Sequence, residues 1–80
     1  MKVTILSFGS IREIFGNKFT EIEVPDTTTV DSLKALLESK YPRIKGIASY
    51  MVAINDEYAS GDSTIKQSDE IAVIPPVCGG

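Results

Sequence analysis

Two segments, one near each end of the chain, are apolar on both of their alternating faces. They span residues 2–8 and 70–74 of an 80-residue sequence. The four faces are formed by Val3 with Ile5, Leu6 with Phe8, Ile71 with Val73, and Ala72 with Ile74. Strands covered on both sides are typical of the interior of a sheet. We therefore predict that these two strands lie side by side in the middle of one sheet.

A short helix and an outer strand are predicted after the first strand. The apolar residues of segment 11–15 are spaced for one helical face, and Gly16 ends the helix. Ser10 and Glu13 have the spacing of a capping box. Segment 19–24 then alternates polar and apolar residues, which indicates an outer strand paired back to the first.

The clearest helix begins after a run of threonines. Either Thr28 or Thr29 caps it, Asp31 lies in its first turn, and Pro42 ends it. Its apolar stripe consists of Val30, Leu33, Leu36, Leu37 and Tyr41.

The order of the elements predicts the fold class. A short strand over residues 51–54 is closed by the turn pair Asn55 and Asp56, and residues 58–67 form a loop with a possible short strand. A hairpin, a crossover helix and a last strand beside the first give a mixed sheet holding one main helix. We predict an α+β fold of the β-grasp (ubiquitin-like) class, with one or two short helices. It forms a single domain over residues 1–80, with a flexible C-terminal tail at 75–80.

The composition disfavours several function classes. Eight Lys and Arg against 11 Asp and Glu give a net charge of -3, which disfavours nucleic acid and anionic membranes as partners. With no His and one Cys, the chain lacks an imidazole base, a Cys/His zinc site and an internal disulfide. We expect no metal, no bound cofactor and no stand-alone catalysis. The apolar runs are too short for a membrane helix and no leader cleavage site is evident, so we expect a cytoplasmic protein.

One helix can cover only one face of the predicted sheet. The residues assigned to the helix side are Val3, Ile5, Ile22, Val24, Leu33, Leu37, Ile71 and Val73. Leu6, Phe8, Ala72 and Ile74 remain on the other face and form a candidate partner-binding surface. The alternative is that loops at 50–51 or 58–60 fold over these residues and make a second small core.

The C-terminal tail combines prolines, which restrict the backbone, with glycines, which leave it free to adopt many conformations. Pro75 and Pro76 fix φ and lack the N–H of a sheet ladder, and Val77 and Cys78 lead to Gly79 and Gly80. The six residues reach at most about 20 Å, and glycines can pass through a narrow channel. ATP could activate a terminal carboxylate as an acyl adenylate, from which sulfur or a thiol enzyme would displace AMP. The alternative is a frayed terminus with no role.

Four segments carry a resemblance to a known family. They are FGSIREIFG at 8–16, VDSLKALLESKYP at 30–42, VAIND at 52–56 and SDEIAVIPPVCGG at 68–80. The last is the most specific, because an acidic turn, an apolar strand, Pro-Pro-Val and a terminal Gly-Gly occur together. Over its whole length the chain resembles the small subunits of molybdopterin synthase, the MoaD family of ubiquitin-like sulfur carriers.

The resemblance implies a carrier cycle in which this chain is a non-catalytic co-substrate. A MoeB-like E1 enzyme uses ATP to adenylate Gly80, and sulfur then converts the adenylate to a thiocarboxylate. The tail enters the MoaE-like large subunit, in a heterotetramer, and donates sulfur to cyclic pyranopterin monophosphate. Gly79 allows the tail to pass through the channel of the large subunit. The direction in which the tail leaves the domain is set by Pro75, Pro76 and Val77.

The resemblance also implies a docking role for the uncovered face. Phe8 and Ile74 match positions that pack on the large subunit, which agrees with the surface that they form with Leu6. Two departures stand out: Cys78 replaces a hydroxyl or methyl side chain, and residues 67–69 replace an Asp-Gly-Asp-like turn. The Cys78 thiol is either a tolerated small side chain or a group that captures the activated carboxyl or pairs with a partner cysteine.

The sequence alone leaves other functions open. The same fold serves sulfur carriers for thiamin or for tRNA thiolation, and protein modifiers conjugated through Gly80. Thiazole carriers tend to lack the Pro75-Pro76 pair, which argues against that role. In a pure interaction domain the surface would bind a partner and the tail would be idle.

Overall fold

The described part of the chain folds as one mixed sheet of five strands. The computed structural model describes residues 1–47 and 49–76. In chain order the elements are β1 (Lys2–Ser7), α1 (Gly9–Phe15), β2 (Phe19–Glu23), α2 (Val30–Lys40), a 3-10 helix (Pro42–Gly46), β3 (Met51–Ile54), β4 (Glu57–Tyr58) and β5 (Glu70–Ile74). The sheet order is β2-β1-β5-β3-β4, with β1 and β5 parallel and the other pairs antiparallel. The prediction that the two end strands lie side by side in its middle is confirmed.

The inner face of the sheet and helix α2 enclose the core. All eight residues assigned to the helix side are buried, and Leu33 and Leu37 of α2 are completely inaccessible. Three further core side chains were not assigned to the core by the sequence pattern: Ile44, Val52 and Ile65. Because a fully buried aliphatic side chain contributes about 1.5–3 kcal/mol, this layer supplies most of the stability of the sheet.

Helix α2 begins where its capping residue predicts. The Oγ1 atom of Thr29 accepts a hydrogen bond from the backbone N–H of Ser32 at 3.2 Å, so Thr29 is the cap. Thr28 instead donates its hydroxyl to the carbonyl of Pro25 at 2.6 Å. Pro42 does more than end α2, because it begins a 3-10 helix.

Helix α1 begins earlier than predicted. Gly9 adopts φ +53° and turns the chain directly from β1 into the helix, with Phe8 in the N-cap position. The predicted capping box of Ser10 and Glu13 is therefore wrong, since Ser10 already lies inside the helix. The predicted end is confirmed: Gly16, at φ +82°, donates its N–H to the Arg12 carbonyl at 2.8 Å.

A tight hairpin joins β3 and β4. Asn55 and Asp56 have φ values of 52° and 69°, as both central residues of a two-residue hairpin turn require. The side chain of Asn55 also accepts a hydrogen bond from the Glu70 N–H at 2.9 Å and donates one to Asp69 at 3.0 Å. These bonds fix the hairpin to the start of β5.

Tyr50 ties helix α2 to the segment that enters β3. Its hydroxyl donates a hydrogen bond of 2.6 Å to Glu38, and the ammonium of Lys34 lies 5.1 Å from the ring centroid. Burial, together with this bond to Glu38, raises the pKa of Tyr50 above that of a free tyrosine. The hydroxyl therefore remains a hydrogen-bond donor at neutral pH.

Helices α1 and α2 are short, with 7 and 11 residues. Within residues 1–47 and 49–76, no helix has the length and apolar character needed to cross a membrane.

Candidate functional site

The face of the sheet opposite α2 carries two adjacent rows of apolar residues. The first row crosses all five strands through directly paired positions, and the second lies next to it, toward the end of the sheet where the chain continues into Pro75. The first row consists of Phe19, Leu6, Ala72, Ala53 and Tyr58, and the second of Phe8, Ile74 and Met51. These eight residues are called the apolar patch below.

The patch is open to solvent. Among the residues that the structure describes, four large apolar side chains are exposed, and all four belong to the patch: Phe8 (41%), Phe19 (59%), Met51 (42%) and Tyr58 (66%). The alternative of a second small core under the loops is therefore wrong, because Tyr58, at the start of one of those loops, is the most exposed of the four. The predicted uncovered face is confirmed, while its partner remains a prediction.

A shallow groove runs along the patch and is acidic at one end. It has a volume of about 230 Å³, and Leu6, Phe8 and Ile74 line its apolar part. Asp56 and Glu70 line the groove as well. The charges lie at the end of the sheet where β5 begins, away from the tail.

A further row of residues extends this acidic border. Thr4 lies between Glu21 on β2 and Glu70 on β5, directly paired with both. A partner that covers the patch would meet apolar side chains near the tail and carboxylates at the far end. The surface is therefore complementary to an apolar partner face bordered by basic residues.

The tail leaves the sheet at the edge of the patch. Ile74 belongs to the patch, Pro75 is half-buried and Pro76 is exposed. Gly9 lies against Pro75, because a Cβ added to Gly9 would come within 3.1 Å of the proline Cγ. The predicted tail residues Val77, Cys78, Gly79 and Gly80 lie outside the described residues, so their chemical roles stay predictions.

Four residues of the apolar patch were missed by sequence reasoning, and so was Gly9. Phe19 was assigned to a mostly wet face, Met51, Ala53 and Tyr58 were left without a face, and Gly9 was given no role in the site. The hairpin could have located one of them, because a two-residue turn at Asn55 and Asp56 places Tyr58 opposite Ala53.

Within residues 1–47 and 49–76, no group of three or more His, Cys, Asp or Glu side chains is placed to hold a metal ion. The described part of the site is an apolar surface with an acidic border. The chain continues into the tail from the edge of this surface.

A sheet of this order, holding one main helix, defines the chain as a ubiquitin-like β-grasp protein. The model of the ThiS family matches residues 5–80. The chain therefore belongs to the ThiS family.

Full-length relatives carry a more specific description. The molybdopterin synthase sulfur carrier subunit of Dictyostelium discoideum is 40% identical over 80 residues, covering 95% of this chain and 93% of the relative. The subunit of the same description from Mycobacterium tuberculosis is 35% identical, covering 100% and 99%.

Solved structures also match this chain over nearly its whole length. A Pyrococcus furiosus protein, provisionally named molybdopterin converting factor subunit 1, superposes with a TM-score of 0.86 at 28% identity, covering 96% of this chain and 99% of that one. Helicobacter pylori subunit 1 of molybdopterin-converting factor, solved in complex with subunit 2, gives 0.69 at 27%, covering both chains completely. The small archaeal modifier protein 1 of Methanosarcina acetivorans gives 0.78 at 26%, covering 99% and 96%.

Proposed function

We propose that this chain is the sulfur carrier subunit of a molybdopterin synthase, and that Gly80 bears the transferred sulfur. The observation that carries the proposal is the position of the tail: the residue after Ile74 of the exposed apolar patch is the first residue of the tail. A partner that covers the patch is thereby placed to receive the tail. The full-length similarity to carriers of this description supports the same function.

Loading of the tail requires activation of a poor electrophile. A carboxylate oxygen of Gly80 attacks the α-phosphorus of ATP, giving an acyl adenylate and releasing pyrophosphate. Sulfide equivalents supplied by a sulfurtransferase then displace AMP and leave a thiocarboxylate. We assign the first step to a MoeB-like E1 enzyme, and we propose that the cycle runs in the cytoplasm, where ATP is available.

Delivery takes place inside a larger partner. The thiocarboxylate sulfur attacks a side-chain carbon of cyclic pyranopterin monophosphate bound to a MoaE-like large subunit, and the carbon–oxygen bond at that carbon breaks as its oxygen leaves. Water then cleaves the acyl–sulfur bond and restores the Gly80 carboxylate. Each loaded chain delivers one sulfur atom. The dithiolene group of molybdopterin contains two sulfur atoms, so its synthesis consumes two loaded chains. A heterotetramer of two carriers and two large subunits fits this need, and the Helicobacter pylori complex of subunits 1 and 2 supports such a partner.

Docking is assigned to the apolar patch. Phe8, Leu6 and Ile74 would bury their exposed surface against the large subunit, close to the tail. The acidic border at Glu21 and Glu70 would face basic residues and fix the orientation of the partner. This orientation would direct the tail inward rather than along the partner's surface.

Reconstitution tests the proposal directly. The chain carrying a Gly80 thiocarboxylate, mixed with the large subunit and cyclic pyranopterin monophosphate, is expected to yield molybdopterin. The matched control is the same chain with an ordinary carboxylate, which is expected to bind but to yield none. A loaded chain that binds the large subunit and leaves the pterin unchanged would contradict the proposal.

A second candidate function is supported by one comparison. The likeness to the Methanosarcina acetivorans modifier protein favours conjugation through Gly80 to lysines of other proteins. Both functions begin with the same adenylate and differ in the acceptor. Isopeptide-linked conjugates in the host, detected with an antibody against the chain and lost when Gly80 is deleted, would support the modifier role.

A further inference from the structure

Gly9 and Pro75 meet where the tail leaves the sheet. A Cβ on Gly9 would lie 3.1 Å from Cγ and 3.9 Å from Cδ of Pro75. The first distance is shorter than the roughly 3.5–4.0 Å at which carbon atoms pack without strain. The pyrrolidine ring therefore rests directly against Gly9, and a Cβ at this position would displace it by a few tenths of an ångström.

Gly9 is held firmly on its own side of this contact. The carbonyl of Phe8 accepts hydrogen bonds from the N–H groups of Ile11 at 3.1 Å and Arg12 at 3.2 Å, and the Ile11 side chain is completely buried. The turn at Gly9 is thus fixed between a central strand and an anchored helix.

Pro75 is the more easily displaced partner. It follows the last residue of β5, lacks the N–H that would continue the sheet ladder, and is only half-buried. A side chain at position 9 would therefore be accommodated mainly by movement of Pro75. Pro76, which follows directly, would move with Pro75.

We propose that Gly9 is a positioning residue that sets the direction in which the C-terminal tail leaves the sheet. Its bare backbone gives the Pro75 ring a fixed surface to rest on. The functional consequence rests on the proposed function, because the direction of the tail matters for delivery of its end into a partner. Misplacement of a reacting group by about 1 Å can slow a reaction by about 100-fold.

The chain offers a matched control for the structural part of the test. Gly16 also has a positive φ, of 82°, but a Cβ at that position meets no atom within 4 Å. Alanine at either site therefore has an unfavourable backbone conformation, whereas only Gly9→Ala meets Pro75. Cα–Hα residual dipolar couplings of Pro75 and Pro76 in the free protein report the orientation of the exit. We expect them to change in Gly9→Ala and to stay as in the wild type in Gly16→Ala; unchanged couplings in Gly9→Ala would overturn the inference.

The functional part measures single-turnover sulfur transfer from thiocarboxylated variants, together with Kd for the large subunit. We expect Gly9→Ala to slow transfer about tenfold or more with an unchanged Kd, and Gly16→Ala to behave as the wild type. Pro75→Ala removes the ring, so it should slow transfer by itself and abolish any additional effect of Gly9→Ala. The single substitution Pro75→Ala also tests the contact between Gly9 and Pro75, and it does so without placing a side chain at a residue with positive φ.

Two results would overturn the inference in this assay. They are equal transfer rates for Gly9→Ala and Gly16→Ala, and an equal loss from Gly9→Ala with and without the Pro75 ring. A wild-type protein that transfers no sulfur would instead contradict the proposed function, and the dipolar couplings would then decide the role of Gly9.

Discussion

Deletion of Gly80, or addition of one residue after it, is expected to abolish sulfur transfer while leaving the affinity for the large subunit unchanged. Deletion moves the terminal carboxyl one residue closer to the sheet, and extension replaces the Gly80 carboxylate by an amide. In neither variant does a loaded carboxyl reach the position of the native one. The apolar patch is untouched, so binding should persist. Molybdopterin formation and Kd, measured on the same preparations, check the two halves of this expectation.

The matched control for this prediction is Gly46→Ala. Gly46 is exposed, and a Cβ added to it meets no atom within 4 Å, so the substitution should leave both transfer and binding unchanged. Full transfer activity after loss of Gly80 would show that the tail is idle and that the chain is a pure interaction domain.

Replacement of Phe8 by aspartate has the second large expected effect. Phe8 lies at the edge of the groove with 41% of its surface exposed, so the free chain can accommodate a charge there. In the complex the carboxylate would be desolvated against an apolar surface without a partner. We expect a loss of about 2–4 kcal/mol in binding, or about 30- to 1,000-fold in Kd, as for a central interface residue. Calorimetric titration with the large subunit measures the change.

Thr27→Asp provides the control for the added charge. Thr27 is exposed and lies outside the apolar patch, beside the start of α2. It should bind the large subunit as the wild type does. Urea denaturation of both variants separates binding from folding: unfolding of Phe8→Asp under native conditions would show that Phe8 is a core residue, and unchanged affinity would remove the patch from the interface.

The two terminal strands made most of the fold predictable. Their apolar residues on both faces indicated two strands in the interior of the sheet, and β1 and β5 do lie there side by side. The same alternation separated Ile5 and Ile71, which are buried, from Leu6 and Phe8 on the other face. The uncovered face was therefore predictable from strand periodicity and from the presence of one long helix.

The errors arose where tertiary contacts decide local structure. The Ser10 capping box has the correct spacing, but the left-handed turn at Gly9 starts α1 before it. Phe19 appeared to be an isolated apolar residue among charges, and only its pairing with Leu6 shows that it extends the patch. The contact between Gly9 and Pro75 joins the two ends of the chain, and no local pattern predicts it.

The decisive measurement for a thiocarboxylate at Gly80 is the mass of the tail in protein isolated from its host during molybdopterin synthesis. Cleavage after Lys66 yields one peptide, residues 67–80, that contains both Cys78 and Gly80. We expect a fraction of this peptide in which one sulfur replaces one oxygen, with fragmentation placing the exchange at Gly80. A peptide that has gained a whole sulfur atom at Cys78, with the Gly80 carboxylate intact, would contradict it.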